Sequence, residues 1–169
     1  MNEVELKFLN INVEEIKEKL KKIGAKLKSD ALTESYSFSA EGFHGNNSEM
    51  KYLRVRKTND DIRITYKDPV KSSGMTVREE IEIKVDNFEV AINLLEKLNF
   101  KKNDIFRKHR IHYELEDVHF EIDTLDNVPT YLEIETTTEE SMKKICSDLG
   151  LNIAEGKNGT IVEILPELF

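Results

Sequence analysis

Carboxylates recur at every second position in several segments of the chain, and they are the first residues that suggest chemistry. In Glu3-Val4-Glu5-Leu6-Lys7, the two carboxylates and the ammonium group share one face of a predicted strand, because successive strand side chains point to opposite sides. Glu133 and Glu135 repeat this spacing near the other end of the chain. Paired carboxylates suit a hard divalent cation with oxygen ligands, and we expect Mg²⁺ or Mn²⁺.

Cationic side chains follow the same spacing in other segments. Arg54 and Arg56 share a strand face, as do Lys108 and Arg110, and Lys67 lies on the charged face of a further strand. A cluster of such groups suits phosphate oxygens, and the guanidinium fork of arginine gives bidentate contacts. Cations beside metal-binding carboxylates are typical of phosphoryl transfer, in which catalysis is mainly positioning and neutralisation of charge.

The alternation of apolar and charged residues predicts eight strands joined in an antiparallel sheet. The predicted strands are residues 2–9, 32–39, 50–57, 62–68, 77–85, 105–115, 117–124 and 130–136. Apolar residues at helical spacing predict three helices, over residues 13–23, 87–98 and 138–149. Their starts are marked by Asn12, by Asp86 and by Thr137 or Thr138, and a short helical turn is expected after Thr160.

The charged faces of these strands favour a closed barrel over an open sheet. An open sheet with one face in water is the simpler interpretation of any single strand. However, these faces are almost wholly charged, and like charges are grouped by strand, so they would repel unless opposite charges lay between them. A closed eight-stranded antiparallel β-barrel with helices packed on the outside, an α+β fold, places the charges around a bore and the apolar faces under the helices.

The composition limits the classes of partner. The chain has 169 residues, which predicts one domain over residues 1–169. Its net charge of −8 argues against nucleic acid and anionic membranes as partners. The absence of a secretory signal and of a second cysteine beside Cys146 leads us to expect a cytoplasmic protein. A homodimer remains open, since dimers are the commonest homo-oligomers.

The first motif resembles a known family signature. Glu3-Val4-Glu5-Leu6-Lys7 is similar to the ExExK signature of CYTH proteins, also called triphosphate tunnel metalloenzymes. Six further blocks occur in the family's order: Tyr52-Leu53-Arg54-Val55-Arg56, Ile64-Thr65-Tyr66-Lys67, Arg78-Glu79-Glu80-Ile81-Glu82, Lys108-His109-Arg110, Phe120-Glu121-Ile122-Asp123 and Tyr131-Leu132-Glu133-Ile134-Glu135. The resemblance covers the whole chain and implies an eight-stranded tunnel that binds a linear triphosphate with Mg²⁺ or Mn²⁺.

The resemblance also implies roles for individual residues. The implied metal ligands are Glu3, Glu5, Asp123, Glu133 and Glu135. The implied triphosphate-binding residues are Lys7, Arg54, Arg56, Lys67, Arg78, Lys108 and Arg110. The implied catalytic residues are Lys7, Tyr36 and Glu133. Lys7 and Tyr36 are chosen because, in some hydrolytic members, a lysine of the signature and a tyrosine together activate water.

The resemblance leaves the reaction open, because the family contains class IV adenylyl cyclases, thiamine triphosphatases and inorganic triphosphatases. The implied partner is accordingly a small-molecule triphosphate: ATP, thiamine triphosphate or inorganic triphosphate. Two departures weaken a cyclase assignment. Val128-Pro129-Thr130-Tyr131 stands where cyclases tend to have a Leu-Gly-Phe type of run, and Thr160-Ile161 stands where they tend to have Ser-Tyr. A non-catalytic module that binds nucleotide or polyphosphate is the third hypothesis.

The spacing of the histidines in the sequence does not suggest a zinc site. His109 and His112 are three residues apart on a predicted strand and therefore face opposite sides. With one cysteine and no clustered histidine partner expected, the sequence argues against zinc.

Overall fold

The computed structural model describes residues 2–43, 50–70 and 76–169. The strands are β1 (Asn2–Phe8), β2 (Lys26–Ser39), β3 (Tyr52–Thr58), β4 (Asp61–Val70), β5 (Thr76–Val85), β6 (Lys101–Leu115), β7 (Val118–Leu125) and β8 (Val128–Thr136). The helices are α1 (Val13–Lys22), α2 (Phe88–Lys97), α3 (Glu139–Asp148) and α4 (Ile161–Ile164). Short 3₁₀ turns cover Ile153–Glu155 and Pro166–Leu168.

The eight strands form one closed barrel in which every pair of neighbours is antiparallel. The order around the barrel is β1-β5-β4-β3-β2-β6-β7-β8, and β8 pairs again with β1. In that last pairing Lys7 lies opposite Glu133, and Glu5 lies opposite Glu135. The predicted α+β fold and closed eight-stranded barrel are therefore confirmed.

β2 and β6 extend furthest beyond their predicted starts, for a reason visible in their pairing. β2 begins at Lys26 and β6 at Lys101, and the two pair along most of their lengths. Their ladder contains irregularities between Leu27 and Ser29 and between Tyr36 and Phe38. A β-bulge adds one residue to one strand and so breaks the alternation of faces, which hides these extensions from a period-two pattern.

The helix starts follow local capping chemistry. The side chains of Asn12 and Thr138 accept hydrogen bonds from backbone N–H groups three residues on, at 3.2 and 3.1 Å. The predicted start of α2 at Asp86 is wrong by one residue, because the Asn87 side chain accepts the hydrogen bond from the Val90 N–H at 3.0 Å. Such caps satisfy N–H groups that have no partner inside the helix.

The hydrophobic core lies between the barrel and its helices. One buried cluster joins α1 and α3 to β1, β7 and β8, through residues that include Leu6, Leu20, Phe120, Ile134 and Met142. A second joins α2 to β2 and β3 through Phe38, Val55 and Ile92. Full burial of such a side chain contributes roughly 1.5–3 kcal/mol, so the apolar strand faces are held outward and the charged faces inward. Among the helices described, none is long and apolar enough to cross a membrane.

Candidate active site

The inward strand faces enclose two cavities that meet near the middle of the barrel. Their volumes are about 580 and 540 Å³. We call the larger the C-terminal cavity, because Thr160, Ile161, Val162 and Phe169 contribute to its wall. We call the other the histidine-side cavity, because His112 and His119 line it. Four residues line both cavities and form a central belt: Arg54, Lys67, Lys108 and Glu133.

Three predicted metal ligands form a carboxylate cluster in the bore. One oxygen from each of Glu3, Glu5 and Glu135 lies within 4.8 Å of the others. Burial, reinforced by neighbouring carboxylates and opposed by Lys67, raises the pKa of Glu3 to about 7. Burial and the charge of Glu3 raise the pKa of Glu135 well above its usual value. Carboxylates this close are unfavourable when all are ionised, and the cluster therefore fits a divalent cation with oxygen ligands.

Lys7 lies between two carboxylates and is held in its charged form. Its Nζ is 2.8 Å from Oε1 of Glu5 and 3.1 Å from Oε1 of Glu133. Burial alone would lower the pKa of Lys7, but the charges of Glu133 and Glu5 outweigh it and raise the pKa. Lys7 is therefore a cation and a hydrogen-bond donor at neutral pH rather than a base.

Lys67 occupies the centre of the bore beside the carboxylate cluster. Its Nζ lies 2.7 Å from Oε1 of Glu3 and 3.0 Å from Oε2 of Glu80. Burial would raise the pKa of Glu80, but Lys67 and the hydrogen bonds around the carboxylate lower it to about 2. The β4–β5 register sets this contact, because it places Lys67 opposite Glu80.

Asp123 contacts cations rather than the carboxylate cluster. It accepts hydrogen bonds from Lys108 Nζ at 2.6 Å and from Nε and Nη2 of Arg110 at 2.7 Å each. Burial opposes ionisation, but Arg110 and Lys108 lower the pKa of Asp123. The cause is register, since Asp123 lies opposite Arg110 in the β6–β7 pair. Among the described residues, Asp123 is in none of the groups of three or more acidic and histidine residues close enough to share an ion.

Two predicted triphosphate-binding arginines have buried nitrogens without partners. In the described part of the chain, these are Nε of Arg54 and both Nε and Nη2 of Arg78. Arg56 differs, because its Nη2 lies 3.2 Å from Oε2 of Glu82. A buried donor without a partner costs free energy, so Arg54 and Arg78 are preorganised for an anion that enters the bore.

Tyr36 does not lie with Lys7. Its ring packs outside the barrel, 6.0 Å from the ring of Phe88 on α2, and the Nζ of Lys102 lies 4.9 Å from its centroid. Tyr131, which is 1% exposed, lines the C-terminal cavity with Lys7. Burial and the charge of Asp123 raise its pKa well above the usual value. Tyr131 and Glu133 are two residues apart on β8, so the alternation of strand side chains points both into the bore. This spacing in the sequence could have identified Tyr131 as the tyrosine of the bore.

Substitution of Tyr36 and of Tyr131 is expected to have different effects on turnover. Tyr36→Phe should leave turnover of a triphosphate within about twofold of wild type, which corresponds to less than about 0.5 kcal/mol. Tyr131→Phe removes a hydroxyl beside the buried Asp123 and should reduce turnover about tenfold, as expected for a hydrogen bond to a charged group. Steady-state kinetics on both variants measures the difference. A larger loss in Tyr36→Phe would restore Tyr36 as the catalytic candidate.

Hydroxyl side chains on β2 form a further part of the site. Thr33, Ser35, Ser37 and Ser39 all line the C-terminal cavity. Asn103 connects the last two, because its Nδ2 donates to both hydroxyls, at 3.0 and 2.9 Å. Four hydroxyl residues at every second position form a neutral polar wall opposite the charged strands. This spacing is visible in the sequence and could have indicated the wall.

Comparisons with known proteins agree with this architecture. A model of the CYTH domain family matches residues 1–150. A Methanocaldococcus jannaschii protein with the provisional name of an adenylate cyclase is 30% identical over 144 residues, 85% of this chain and 82% of that protein. The solved structure of the PH1012 protein from Pyrococcus horikoshii OT3 is 31% identical, with a TM-score of 0.75, and the match covers 95% of this chain and 98% of that one.

A third comparison extends the likeness of fold. A Vibrio parahaemolyticus protein, also provisionally named an adenylate cyclase, has 18% sequence identity and a TM-score of 0.78, and the match covers 97% of each chain. At this identity the likeness shows a shared fold. The match over residues 1–150, the closed barrel and the ExExK motif lead to one conclusion. The chain belongs to the CYTH domain family.

Proposed function

We propose that this protein is a metal-dependent enzyme that acts on a triphosphate-bearing substrate held in the barrel. The observation that carries the proposal is the set of buried nitrogens on Arg54 and Arg78 that have no partner among the described residues, beside the buried cations Lys7 and Lys67. Adjacent to these cations lies the carboxylate cluster. A polyanion such as a triphosphate would neutralise the cations, and a divalent metal ion would neutralise the carboxylates. Together the two would balance both sets of charges in the bore.

Glu3, Glu5 and Glu135 are the residues that would hold Mg²⁺ or Mn²⁺. Such an ion supplies neutralisation of the charge that develops on phosphate oxygens. The protein's own cations bind the chain of phosphates and fix its position along the bore. Lys7 is well placed to donate a hydrogen bond to a phosphate oxygen, since it is charged and lines the C-terminal cavity.

Metal binding is expected to strengthen with pH. The pKa of Glu3 in the folded protein is about 7, against an ordinary value of 4.5. In the absence of metal, the protonated Glu3 therefore contributes fully to the stability of the folded protein below about pH 4.5. This stabilising contribution is lost as the pH rises through about 7. Mg²⁺ requires the ionised carboxylate, so the increase in Tm on adding Mg²⁺ should grow between pH 5 and about 7.5. Thermal unfolding with and without Mg²⁺ at each pH measures this increase in Tm. The same pH dependence in the Glu3→Gln variant would contradict the role of Glu3.

Two reactions are compatible with this site. In a triphosphatase, water attacks the terminal phosphorus and orthophosphate leaves. In a class IV adenylyl cyclase, the ribose 3′-hydroxyl of ATP attacks the α-phosphorus, cyclic AMP forms and pyrophosphate leaves. The name of the Methanocaldococcus jannaschii relative favours the cyclase. The departures at residues 128–131 and 160–161 weaken that assignment, so the attacking group is left open.

The wall of the C-terminal cavity favours a substrate with an organic group. Ile161 and Val162 line this cavity with Phe106 and Phe169. The last two rings stack, with centroids 6.1 Å apart and an angle of 25° between their planes. Aromatic and aliphatic side chains bind the flat ring of a nucleobase or of thiamine and gain nothing from inorganic triphosphate.

Phe169→Ala is therefore expected to discriminate between substrates. Loss of one stacking partner costs roughly 1–3 kcal/mol per base, which corresponds to an increase of about fivefold or more in KM for ATP. KM for inorganic triphosphate should stay near the wild-type value. Parallel kinetics with both substrates provides the measurement, and equal increases in both KM values would remove the organic-group preference.

Product analysis tests the proposed function directly. The protein is incubated with ATP, thiamine triphosphate or inorganic triphosphate under Mg²⁺ or Mn²⁺, and products are identified by phosphorus NMR and chromatography. Cyclic AMP with pyrophosphate establishes a cyclase, and orthophosphate establishes a hydrolase. Saturable binding without any product would support the alternative, a non-catalytic nucleotide- or polyphosphate-binding module, and would overturn the enzyme proposal.

A further inference from the structure

Two histidines and a glutamate meet at the edge of the histidine-side cavity, and the proposed reaction uses none of them. Nε2 of His112 lies 3.2 Å from Nδ1 of His119. Oε1 of Glu114 lies 3.6 Å from each of these nitrogens. The β6–β7 register brings the three together, because it places Glu114 opposite His119. His119 is thus the partner that His112 lacks within its own strand, and the expectation of no clustered histidine partner is wrong.

The triangle formed by these three atoms has the size of one face of a tetrahedral metal site. With Zn²⁺ bonds of roughly 2.0–2.1 Å to imidazole nitrogen and carboxylate oxygen, neighbouring ligand atoms lie about 3.3 Å apart. The observed separations are 3.2, 3.6 and 3.6 Å. Two imidazoles and one carboxylate, with a fourth position left for water, form a ligand set that suits Zn²⁺ and similar borderline ions.

The surroundings of the triangle also favour a cation. Oε2 of Glu114 lies 2.8 Å from Nζ of Lys28, which fixes the orientation of the carboxylate. Glu121 lies opposite His112 in the β6–β7 register, is 6% exposed, and has an Oε2 without a partner within the described part of the chain. The side chains of His112 and His119 are 21% and 43% exposed, so an ion can reach the ring nitrogens from solvent.

We propose that His112, Glu114 and His119 form a second divalent-metal site that takes Zn²⁺ or a chemically similar ion. Its imidazole ligands distinguish it from the carboxylate cluster, which is made of oxygen ligands only. The two sites are neighbours, because His119 lies opposite Glu135 in the β7–β8 register. An ion bound by the histidines would therefore border the same bore that the proposed substrate occupies.

Titration with Co²⁺ in the presence of excess Mg²⁺ tests the site without using activity as the readout. Excess Mg²⁺ occupies the carboxylate cluster, and Co²⁺ bound by imidazole in four-coordinate geometry gives intense visible absorption that oxygen-ligated six-coordinate Co²⁺ lacks. The informative variants are His112→Ala, His119→Ala and the more conservative His119→Gln. His109→Ala is the matched control, because the His109 side chain is 48% exposed and contacts Asp30 at 2.8 Å instead. Glu3→Gln reports on the carboxylate cluster.

The expected result is an intense Co²⁺ spectrum in the wild type, in His109→Ala and in Glu3→Gln, and its displacement by one equivalent of Zn²⁺. The substitutions of His112 and His119 should each weaken Co²⁺ affinity at least about tenfold, since even the loss of a group that only orients a ligand costs that much. Circular dichroism and thermal unfolding establish that each variant is folded. A weak spectrum in the wild type, or an intense one that survives both histidine substitutions or disappears in Glu3→Gln, would overturn the proposal.

Discussion

Glu135→Gln is expected to reduce Mg²⁺-dependent turnover of the triphosphate at least about 100-fold while the barrel remains folded. Glu135 lies opposite Glu5 in the β1–β8 register and forms the carboxylate cluster with Glu3 and Glu5. Glutamine keeps the shape of the side chain but removes the negative charge that binds the ion. Because burial and Glu3 already raise the pKa of Glu135 well above its usual value, glutamine resembles the protonated acid, and the metal-free fold should lose no stability.

The measurement is turnover as a function of Mg²⁺ and Mn²⁺ concentration, together with Tm in the absence of metal. Glu79→Gln is the matched control, because it removes the same charge from the same barrel at an exposed position on β5. We expect Glu79→Gln to behave as wild type. If Glu135→Gln kept wild-type activity at every metal concentration, the assignment of the metal to this cluster would be wrong.

The barrel could be predicted from the sequence because alternation is a local property that survives in each strand. The spacing of Glu133 and Glu135 alone places them on one face of a strand. The excess of charge on the charged faces of the strands predicts that the sheet closes into a barrel. The bulges between β2 and β6 could not be predicted in this way, since an inserted residue shifts the alternation without leaving a signal in composition. The same limit explains why the strands were predicted to start at residues 32 and 105 instead of Lys26 and Lys101.

Which charged residues contact one another depends on register between strands, and a single sequence does not reveal register. The family resemblance implies that Asp123 accompanies Glu133 and Glu135, yet its position opposite Arg110 makes it a partner of cations. The spacing of the histidines in the sequence does not reveal His119 as a partner of His112 for the same reason, because the two approach only across the β6–β7 ladder. Tyr36 is a different case, since its placement outside could have been inferred from the hydroxyl residues that alternate with it.

Arg54→Met is expected to weaken substrate binding without weakening the fold. In the described part of the chain, the buried Nε of Arg54 has no partner, so a phosphate oxygen is its natural acceptor. A hydrogen bond to a charged group contributes about 1.5–3 kcal/mol, which corresponds to an increase of about 10- to 100-fold in KM. We expect kcat to change less, because an arginine that holds the phosphates equally in the ground state and in the transition state affects KM rather than kcat. Methionine fills a similar volume. Arg54 is half-buried, and its buried Nε lacks a hydrogen bond within the described residues, so its removal should leave Tm unchanged or slightly higher.

Arg63→Met is the control that separates substrate binding from the general loss of a cation. Nε of Arg63 lies 2.6 Å from Oδ2 of Asp61, and Nη1 lies 2.5 Å from Oε1 of Glu82, so both carboxylates are already available to it as partners. Its side chain is 39% exposed, and such partly exposed ion pairs contribute about 0–1 kcal/mol. The two variants should therefore show opposite patterns. Arg54→Met should increase KM and leave Tm unchanged or slightly higher. Arg63→Met should lower Tm slightly and leave KM unchanged. Equal changes in KM for both variants would mean that the bore binds the substrate through its overall charge, and the specific role assigned to Arg54 would be wrong.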